Sequence, residues 1–307
     1  MAQLQVDIGG LRLKNPVMTA SGTFGCGLEF AEFYDINRLG AVVTKTITPL
    51  PRAGNPPPRV AETASGMLNS VGLQNGGLAD FIANKAPALK RLKTAVAVSI
   101  SAASPAEFAD MARAVAGSGC ADALELNLSC PNVLHGNVRR MVSQDAAATR
   151  RTVAAVAKIC PLPLIAKLSP NVTDITEIAL AAQSGGAAAV CVANTIPAMA
   201  VDLRSRRPRL ANVCGGLSGP AIKPVALKLV WDVARAVEIP VVACGGIMTA
   251  EDALEFILCG AAAVEVGTAN LVNPRAALDI AQGIAQWMDA NKIAALAEIR
   301  GKLEAAA

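Results

Sequence analysis

Aromatic residues and runs of like charge are scarce in this sequence of 307 residues, and each scarcity excludes a class of protein. Aromatic residues make up 3% of the chain and hydrophobic residues 53%. The core must therefore be aliphatic, as is typical of parallel sheets that are buried on both faces. The net charge is only +4, and the densest basic stretch, residues 204–209, contains no aromatic residue. Because a nucleic-acid-binding surface combines clustered positive charge with a recognisable binding motif, we expect no nucleic-acid partner.

Close cysteine pairs and a long uninterrupted apolar stretch are also missing. The eight cysteines form no C-x-x-C motif, so the spacing typical of zinc and iron–sulfur sites is absent and we expect no metal. Free cysteines favour a reducing compartment, and the N-terminus lacks the pattern of a signal peptide. The uncharged stretch 178–201 is interrupted by Gly185, Gly186 and Pro197. We therefore expect a soluble, cytoplasmic protein without a membrane span.

What the chain does have is an alternation of short β-branched runs with longer, Ala-rich segments of helical period. This alternation predicts βαβ units and hence a parallel sheet. Eight such units predict an α/β protein with a (β/α)8 TIM barrel, formed by residues 1–307 as one domain. A hairpin with Gly9-Gly10 at its turn is expected to plug the N-terminal face of the barrel. The predicted barrel strands are 17–19, 41–44, 96–100, 123–127, 164–168, 188–193, 241–244 and 263–266.

Three helix starts can be predicted from the sequence. Thr249 followed by Asp252 predicts a capping box. Ser104-Pro105 and Asn273-Pro274 each predict an N-cap residue followed by Pro at the first helical position. By contrast, residues 49–77 and 195–216 break the alternation, and we expect long functional loops there.

Polar residues or glycines lie at the carboxyl end of most predicted barrel strands. Since a buried Lys or Asn without a partner costs several kcal/mol, a ligand or a mutual network must satisfy these groups. Gly-Gly after the seventh strand and Gly-Thr after the eighth predict a phosphate site, with tight turns alone as the alternative. The polar residues and glycines at the ends of the predicted strands are Lys45, Ser99, Asn127, Lys167, Asn194, Thr195, Gly245, Gly246, Gly267 and Thr268.

A cysteine follows the fourth predicted strand within the segment Asn127-Leu128-Ser129-Cys130-Pro131-Asn132. A thiol titrates near about pH 8.5 and lower beside a cation, so Cys130 can act as a nucleophile or as a general base. The single histidine, His135, lies in the same loop. A Cys–His dyad is therefore the alternative to a surface histidine.

These segments together resemble the dihydroorotate dehydrogenases over nearly the full length of the chain. Two positions depart from the family pattern, since Ser99 stands where many relatives have Asn and Gly76 stands where Pro is common. The segments that carry the resemblance are 44–46, 55–59, 68–75, 127–132, 192–195, 215–220 and 245–247.

The resemblance implies one FMN over the barrel mouth and a substrate, dihydroorotate or orotate, lying on the flavin. It implies that Cys130 is the base that removes a proton from C5 while a hydride leaves C6 for the flavin. The implied FMN contacts are Ser21, Lys45, Thr46, Ser99, Asn127, Lys167, Ala193, Gly219, Gly245, Gly246, Gly267 and Thr268. The implied substrate contacts are Lys45, Asn69, Ser70, Val71, Gly72, Leu73, Asn127, Asn132, Asn194 and Thr195.

Three kinds of the family share this barrel and differ in the electron acceptor. Residues 55–59 and 133–136 resemble the NAD-linked kind, in which FAD and a 2Fe-2S cluster lie on a partner subunit and homodimers or heterotetramers form. The fumarate-linked kind remains open, and the membrane-bound quinone-linked kind is less similar. Outside this family, a dihydropyrimidine dehydrogenase catalytic subunit, a sugar-phosphate isomerase using Glu125 and Glu265, and a non-catalytic flavin-binding subunit are the alternatives.

Overall fold

Eight parallel strands close into a barrel in the computed structural model, which describes residues 2–129 and 141–304. The strands are β3 (Val17–Thr19), β4 (Ala41–Val43), β7 (Ala95–Ile100), β8 (Ala123–Asn127), β9 (Leu164–Lys167), β10 (Ala189–Val192), β15 (Val241–Cys244) and β16 (Ala263–Val266). Each strand pairs in parallel with its neighbour, and the pairing of β16 with β3 closes the barrel. The predicted TIM barrel is thus confirmed, with strand bounds that differ from the prediction by at most one residue.

Helices cover the outside of the barrel and bury their apolar faces against the strands. In α3, for example, Phe108, Met111 and Val115 are buried at helical spacing. None of the described helices is both long and apolar enough to span a membrane. The helices are α1 (Gly77–Asp80), α2 (Ala86–Leu89), α3 (Pro105–Ser118), α4 (Ala146–Ala157), α5 (Ile175–Ser184), α6 (Lys223–Ala236), α7 (Ala250–Leu258), α8 (Ala269–Val272) and α9 (Ala276–Ala290). A π-helical turn, Phe81–Lys85, joins α1 to α2, and short 3-10 turns lie at Leu28–Phe30, Ile36–Arg38, Val142–Gln144, Pro220–Ile222 and Leu296–Glu298.

Two of the three predicted helix starts are confirmed. The Ser104 hydroxyl accepts a hydrogen bond from the Glu107 N–H at 3.2 Å, and Pro105 opens α3. Thr249 and Asp252 form the expected capping box at the start of α7.

The predicted N-cap at Asn273 is wrong. The α9 helix begins at Ala276 and its N-cap is Arg275. The Asn273 side-chain oxygen accepts from the Arg275 N–H at 3.0 Å. This Asx-type turn places two further residues between the asparagine and the helix.

The N-terminal hairpin consists of β1 (Val6–Ile8) and β2 (Leu11–Leu13), which pair antiparallel. Its turn needs glycine, because Gly9 and Gly10 both have positive φ and a Cβ on Gly9 would lie 2.1 Å from the Ala188 carbonyl oxygen. The buried side chains of the hairpin pack against residues at the start of the barrel strands. The hairpin thus closes the N-terminal end of the barrel, as predicted.

Alternate residues of each barrel strand point into the barrel. Many of these are small, including Ala97, Ala123, Ala189 and Ala263, and they form an inner cluster with the hairpin. A larger cluster fills the space between the strands and the helices. Because side chains alternate along a strand, the inward side of β8 also carries Glu125 and Asn127.

The segments predicted as long loops contain a second sheet, so that prediction is wrong. Strands β5 (Val60–Thr63), β6 (Gly66–Asn69), β11 (Ile196–Met199) and β14 (Cys214–Ser218) form an antiparallel sheet in the order β11-β14-β6-β5. A small ladder, β12 (Val201–Asp202) and β13 (Arg207–Pro208), extends from it. The sheet is built by pairing β6 with β14, and such a pairing between distant segments leaves no local sequence pattern.

Candidate active site

A cavity of about 450 Å³ opens at the carboxyl ends of the barrel strands. Barrel residues form its floor, and the antiparallel sheet contributes one wall through residues such as Asn69 and Gly216. Its volume is typical of a small-molecule site, and its position is the one that barrel enzymes use. A wider surface depression of about 520 Å³ lies beside Arg207 and Arg209. That depression is shallow and is lined by the β12–β13 ladder, so we assign the site to the cavity.

Most of the residues predicted to bind cofactor or substrate line this one cavity. Ser99 does not, since it is fully buried behind Thr46. Cys130, Asn132 and His135 lie outside the described residues. The predicted residues on the cavity wall are Ser21, Lys45, Thr46, Asn69, Ser70, Val71, Gly72, Leu73, Asn127, Lys167, Ala193, Asn194, Thr195, Gly219, Gly245, Gly246, Gly267 and Thr268.

A chain of side-chain hydrogen bonds crosses the rim from Ser99 to Asn194. The hydroxyl oxygens of Ser99 and Thr46 are 2.8 Å apart, and Asn127 Nδ2 donates to Thr46 Oγ1 at 3.2 Å. Ser129 Oγ donates to Asn127 Oδ1 at 3.0 Å and accepts from Asn194 Nδ2 at 2.6 Å. The network fixes the orientation of both amide side chains, and an amide both donates and accepts hydrogen bonds. The rim is therefore pre-organised to bind a polar ligand.

The glycine turn after β15 provides backbone N–H groups. Gly245 and Gly246 have φ of 132° and 78°. Within the described part of the chain, no hydrogen bond from the N–H groups of Gly245, Gly246 or Ile247 to another protein group is present. Thr268, which follows the neighbouring strand β16 and also lines the cavity, donates from Oγ1 to Ser218 Oγ at 2.8 Å. Unpaired backbone N–H groups beside hydroxyls suit an anion such as phosphate.

The floor of the cavity contains a buried ion cluster. Lys167 Nζ lies 3.3 Å from Glu125 Oε2 and also hydrogen-bonds Glu265 Oε2. Strand register builds this cluster, because Lys167 pairs with Asn127 across β8 and β9, and Glu265 pairs with Cys244 across β15 and β16. Lys167 and Glu265 line the cavity. A cationic side chain is thereby placed beneath any ligand bound there.

The two glutamates are not the free acid–base pair that a sugar-phosphate isomerase would need. Glu125 is fully buried, and both carboxylates contact Lys167. The sequence did contain a signal for this cluster, because Glu125 lies two residues before Asn127 on β8 and therefore points to the same side.

Cys191, Cys244 and Glu265 place potential metal-ligand atoms within 4.8 Å of one another. The ammonium of Lys167 is already bound to the Glu265 carboxylate. A metal cation there would meet the repulsion of that charge at short range. We assign no metal to these residues.

The residues present fit a flavin mononucleotide. The glycine turn offers N–H groups to a phosphate, and the fixed amides of the rim suit the nitrogen and oxygen atoms of the ring system. Gly22 on the cavity wall has no heavy atom within 4 Å of a Cβ built on it, so the cavity is open at this position.

Comparison with known proteins agrees with this geometry. The family model described as dihydroorotate dehydrogenase matches residues 3–288. Proteins named dihydroorotate dehydrogenase B (NAD(+)), catalytic subunit, are similar over nearly their whole length. The one from Trichlorobacter lovleyi is 52% identical over 98% of both chains, and the one from Pelobacter propionicus is 49% identical over 98% of both. The one from Alkaliphilus metalliredigens is 51% identical, again over 98% of both chains. This chain therefore belongs to the dihydroorotate dehydrogenase family.

Proposed function

We propose that this chain is the catalytic subunit of an NAD-linked, FMN-dependent dihydroorotate dehydrogenase. It oxidises (S)-dihydroorotate to orotate in the synthesis of UMP. The observation that carries the proposal is sequence identity. About half of the aligned residues, over 98% of both chains, are identical to those of proteins named as NAD(+) catalytic subunits. The cavity supports it, because most of the residues that the family resemblance implies line this one cavity.

The FMN would be held between the glycine turn and the ion cluster. Gly245, Gly246, Gly267 and Thr268 would receive the phosphate, and Lys167 would lie under the ring system. When bound, FMN supplies the redox chemistry by accepting a hydride from C6 of dihydroorotate. The remaining proposed contacts are Ser21, Lys45, Thr46, Ser99, Asn127, Ala193 and Gly219. Among these, Ser99 would act through Thr46, to which its hydroxyl is bonded.

The substrate would lie between the rim network and the antiparallel sheet. Asn127 and Asn194 are oriented by Ser129, and Asn69 Nδ2 donates to the Gly216 carbonyl oxygen at 3.3 Å. These amides can pair with the ring edge of orotate, while Lys45 offers a cation to its carboxylate. The full proposed set is Lys45, Asn69, Ser70, Val71, Gly72, Leu73, Asn127, Asn132, Asn194 and Thr195.

Cys130 would be the base that takes the proton from C5 of the substrate. It follows directly after Ser129, whose side chain is fixed in the rim network. A thiol near a cation has a lowered pKa and is a competent base near neutral pH. The assignment rests on the family motif at residues 127–132, since Cys130 itself lies outside the described residues.

The electrons would then pass to NAD through a partner subunit carrying FAD and a 2Fe-2S cluster. The relatives are themselves named catalytic subunits, with NAD(+) in the name. We propose a homodimeric core that binds this partner in a heterotetramer.

An anaerobic visible spectrum tests the proposal. The purified chain reconstituted with FMN should bleach on addition of dihydroorotate and should stay yellow with dihydrouracil. Bleaching by dihydrouracil would instead indicate a dihydropyrimidine dehydrogenase. Rapid reoxidation of the reduced chain by fumarate, without a partner, would favour the fumarate-linked kind.

The Cys130→Ala variant tests the base. It should bind FMN and orotate as the wild type does, but dihydroorotate should reduce its flavin by orders of magnitude more slowly, because general-base catalysis contributes about 10²–10⁴-fold. Cys214→Ala is a matched control, since Cys214 also lines the cavity wall and has no proposed role in the proton transfer. Wild-type rates of flavin reduction in Cys130→Ala would overturn the assignment.

A further inference from the structure

The charges in the buried cluster under the cavity do not balance. Glu125, Glu265 and Lys167 are 0%, 1% and 3% exposed. Lys167 contacts both carboxylates, and among the ion pairs of the described residues it is the one cation that does so. With every group ionised, the cluster would carry one uncompensated negative charge inside the barrel.

An unpaired charge in this position is costly, and the hydrogen bonds do not compensate for it. Oε1 of Glu265 has no hydrogen-bond donor within the described part of the protein. Glu125, by contrast, lies 3.3 Å from the Lys167 ammonium and near the Ser21 and Ser99 hydroxyls, which stabilise its ionised form. A buried carboxylate without donors takes up a proton rather than remain charged. Where two carboxylates share one buried site, their protons come off in two separate steps that belong to the pair.

We propose that Glu125 and Glu265 share a single proton, so that together with Lys167 they form an electrically neutral triad beneath the cavity. The shared proton gives a donor to a carboxylate oxygen that otherwise has none. The remaining negative charge neutralises the ammonium. Glu125 and Glu265 are thus positioning residues, which hold Lys167 at the cavity floor.

The pKa shifts of the two acids agree with one shared proton. Burial and the negative charge of Glu125 raise the pKa of Glu265 well above its usual range. Burial acts in the same direction on Glu125, but the Lys167 ammonium together with hydrogen bonds from Glu265, Ser99 and Ser21 outweighs it and lowers the pKa of Glu125. These opposite directions are the ones expected when the shared proton resides on Glu265.

Two thiols face the same triad and could carry the negative charge instead. Burial raises the pKa of Cys191 well above its usual range. A hydrogen bond from Cys191 lowers the pKa of Cys244 to about 6, against the effects of burial and of Glu125. We place the charge on the carboxylates because Lys167 is in direct contact with both of them. A Cys244→Ser variant separates the two arrangements.

Infrared difference spectroscopy of the flavin-free protein tests the protonation directly. The wild type should show the C=O stretching band of one protonated carboxyl group above about pH 6, where exposed carboxyl groups are ionised. Glu265→Gln and Glu125→Gln should each lose this band, because the remaining carboxylate then neutralises Lys167 alone. Glu255→Gln, a change at an exposed ion pair, and Cys244→Ser should both keep it.

Two results would overturn the proposal. The absence of any protonated carboxyl band in the wild type would show that both acids are ionised. A weaker protonated-carboxyl band in Cys244→Ser than in the wild type would show that the Cys244 thiolate carries the negative charge in the wild type. Once that thiolate is removed, a carboxyl group has to ionise in its place. Circular dichroism and thermal unfolding establish that each variant is folded. If a Gln variant does not fold, the protonated-carboxyl band of the wild type above about pH 6 still tests the shared proton.

The consequence for the cofactor rests on the proposed function, whereas the infrared test does not. If FMN binds above a neutral triad, each single Gln variant leaves the net charge at zero. The ratio of the dissociation constants for oxidised and reduced FMN should then change by less than about threefold. If both acids are ionised in the wild type, removing one charge should favour reduced FMN by about tenfold or more. Failure to bind FMN at all would contradict the proposed function and leave the infrared result intact.

Discussion

Ser129 connects the two asparagines that face the cavity, although its own side chain is small. Its hydroxyl donates to Asn127 and accepts from Asn194, and it is 3% exposed. Replacing it by Ala would leave the buried Asn127 Oδ1 without its donor, whereas the half-buried Asn194 amide can bond to water instead. Each unsatisfied buried group costs about 1–3 kcal/mol.

We therefore expect Ser129→Ala to lower the free energy of unfolding by about 1–3 kcal/mol and to raise the KM for dihydroorotate. Chemical denaturation and steady-state kinetics measure the two effects. Ser184→Ala, at the exposed end of α5, serves as the control and should change neither. An unchanged KM in Ser129→Ala would mean that the rim network does not orient the substrate-binding amides.

At the scale of single residues, residues of the cavity wall were predicted from the sequence, whereas the buried ion cluster beneath the cavity was not. Lys45, Asn127 and Asn194 could be found because each follows a recognisable strand. The partners of Lys167 could not be found in the same way. Glu125 and Glu265 come together only when the barrel closes, and that depends on strand register rather than on local pattern.

The glycine turn after β15 is the element on which the proposed phosphate site depends. Gly246 has a φ of 78°, and a Cβ on it would lie 2.6 Å from the Lys223 Cα atom at the start of α6. A side chain would therefore push the turn away from α6 and strain its backbone. The N–H groups of the turn would move with it.

We expect Gly246→Ala to weaken FMN binding by at least about tenfold, which corresponds to about 1.4 kcal/mol. Fluorescence titration with FMN measures this. Gly117→Ala is the matched control, because Gly117 lies in α3 and a Cβ added to it would have no heavy atom within 4 Å. That change should stabilise the protein by about 0.5–1 kcal/mol and leave FMN binding unchanged. Equal FMN affinity in both variants would exclude the turn as the phosphate site.

The sequence predicted the barrel elements well and the second sheet not at all. A barrel strand such as β15 is a short apolar run between helical segments, so its signal lies within a few residues. The β6 strand pairs with β14, and residues 66–69 and 214–218 lie far apart in the chain. Their glycines are typical of loops, and the pairing that orders them is a long-range contact.

In the whole barrel, the residues that stabilise the fold and the residues that line the cavity lie at opposite ends of the axis. The hairpin closes one end, with Ile8, Leu11 and Leu13 buried among the inner barrel residues. The cavity occupies the other end, and none of these three side chains lines it. In barrel enzymes the N-terminal face serves stability and the carboxyl face serves function.

This separation predicts that Ile8→Ala destabilises the protein without changing the active site. Ile8 is 0% exposed, so its truncation should lower the free energy of unfolding by about 2–5 kcal/mol. FMN affinity should stay at the wild-type value, and so should the KM for dihydroorotate, which Ser129→Ala is expected to raise. Leu203→Ala removes a comparable side chain that is 87% exposed, and its effect should stay within about 0.5 kcal/mol. If FMN binding weakens in Ile8→Ala at a temperature where the variant is fully folded, the two ends of the barrel are coupled through the inner layer of side chains, and the hairpin supports the site as well as the fold.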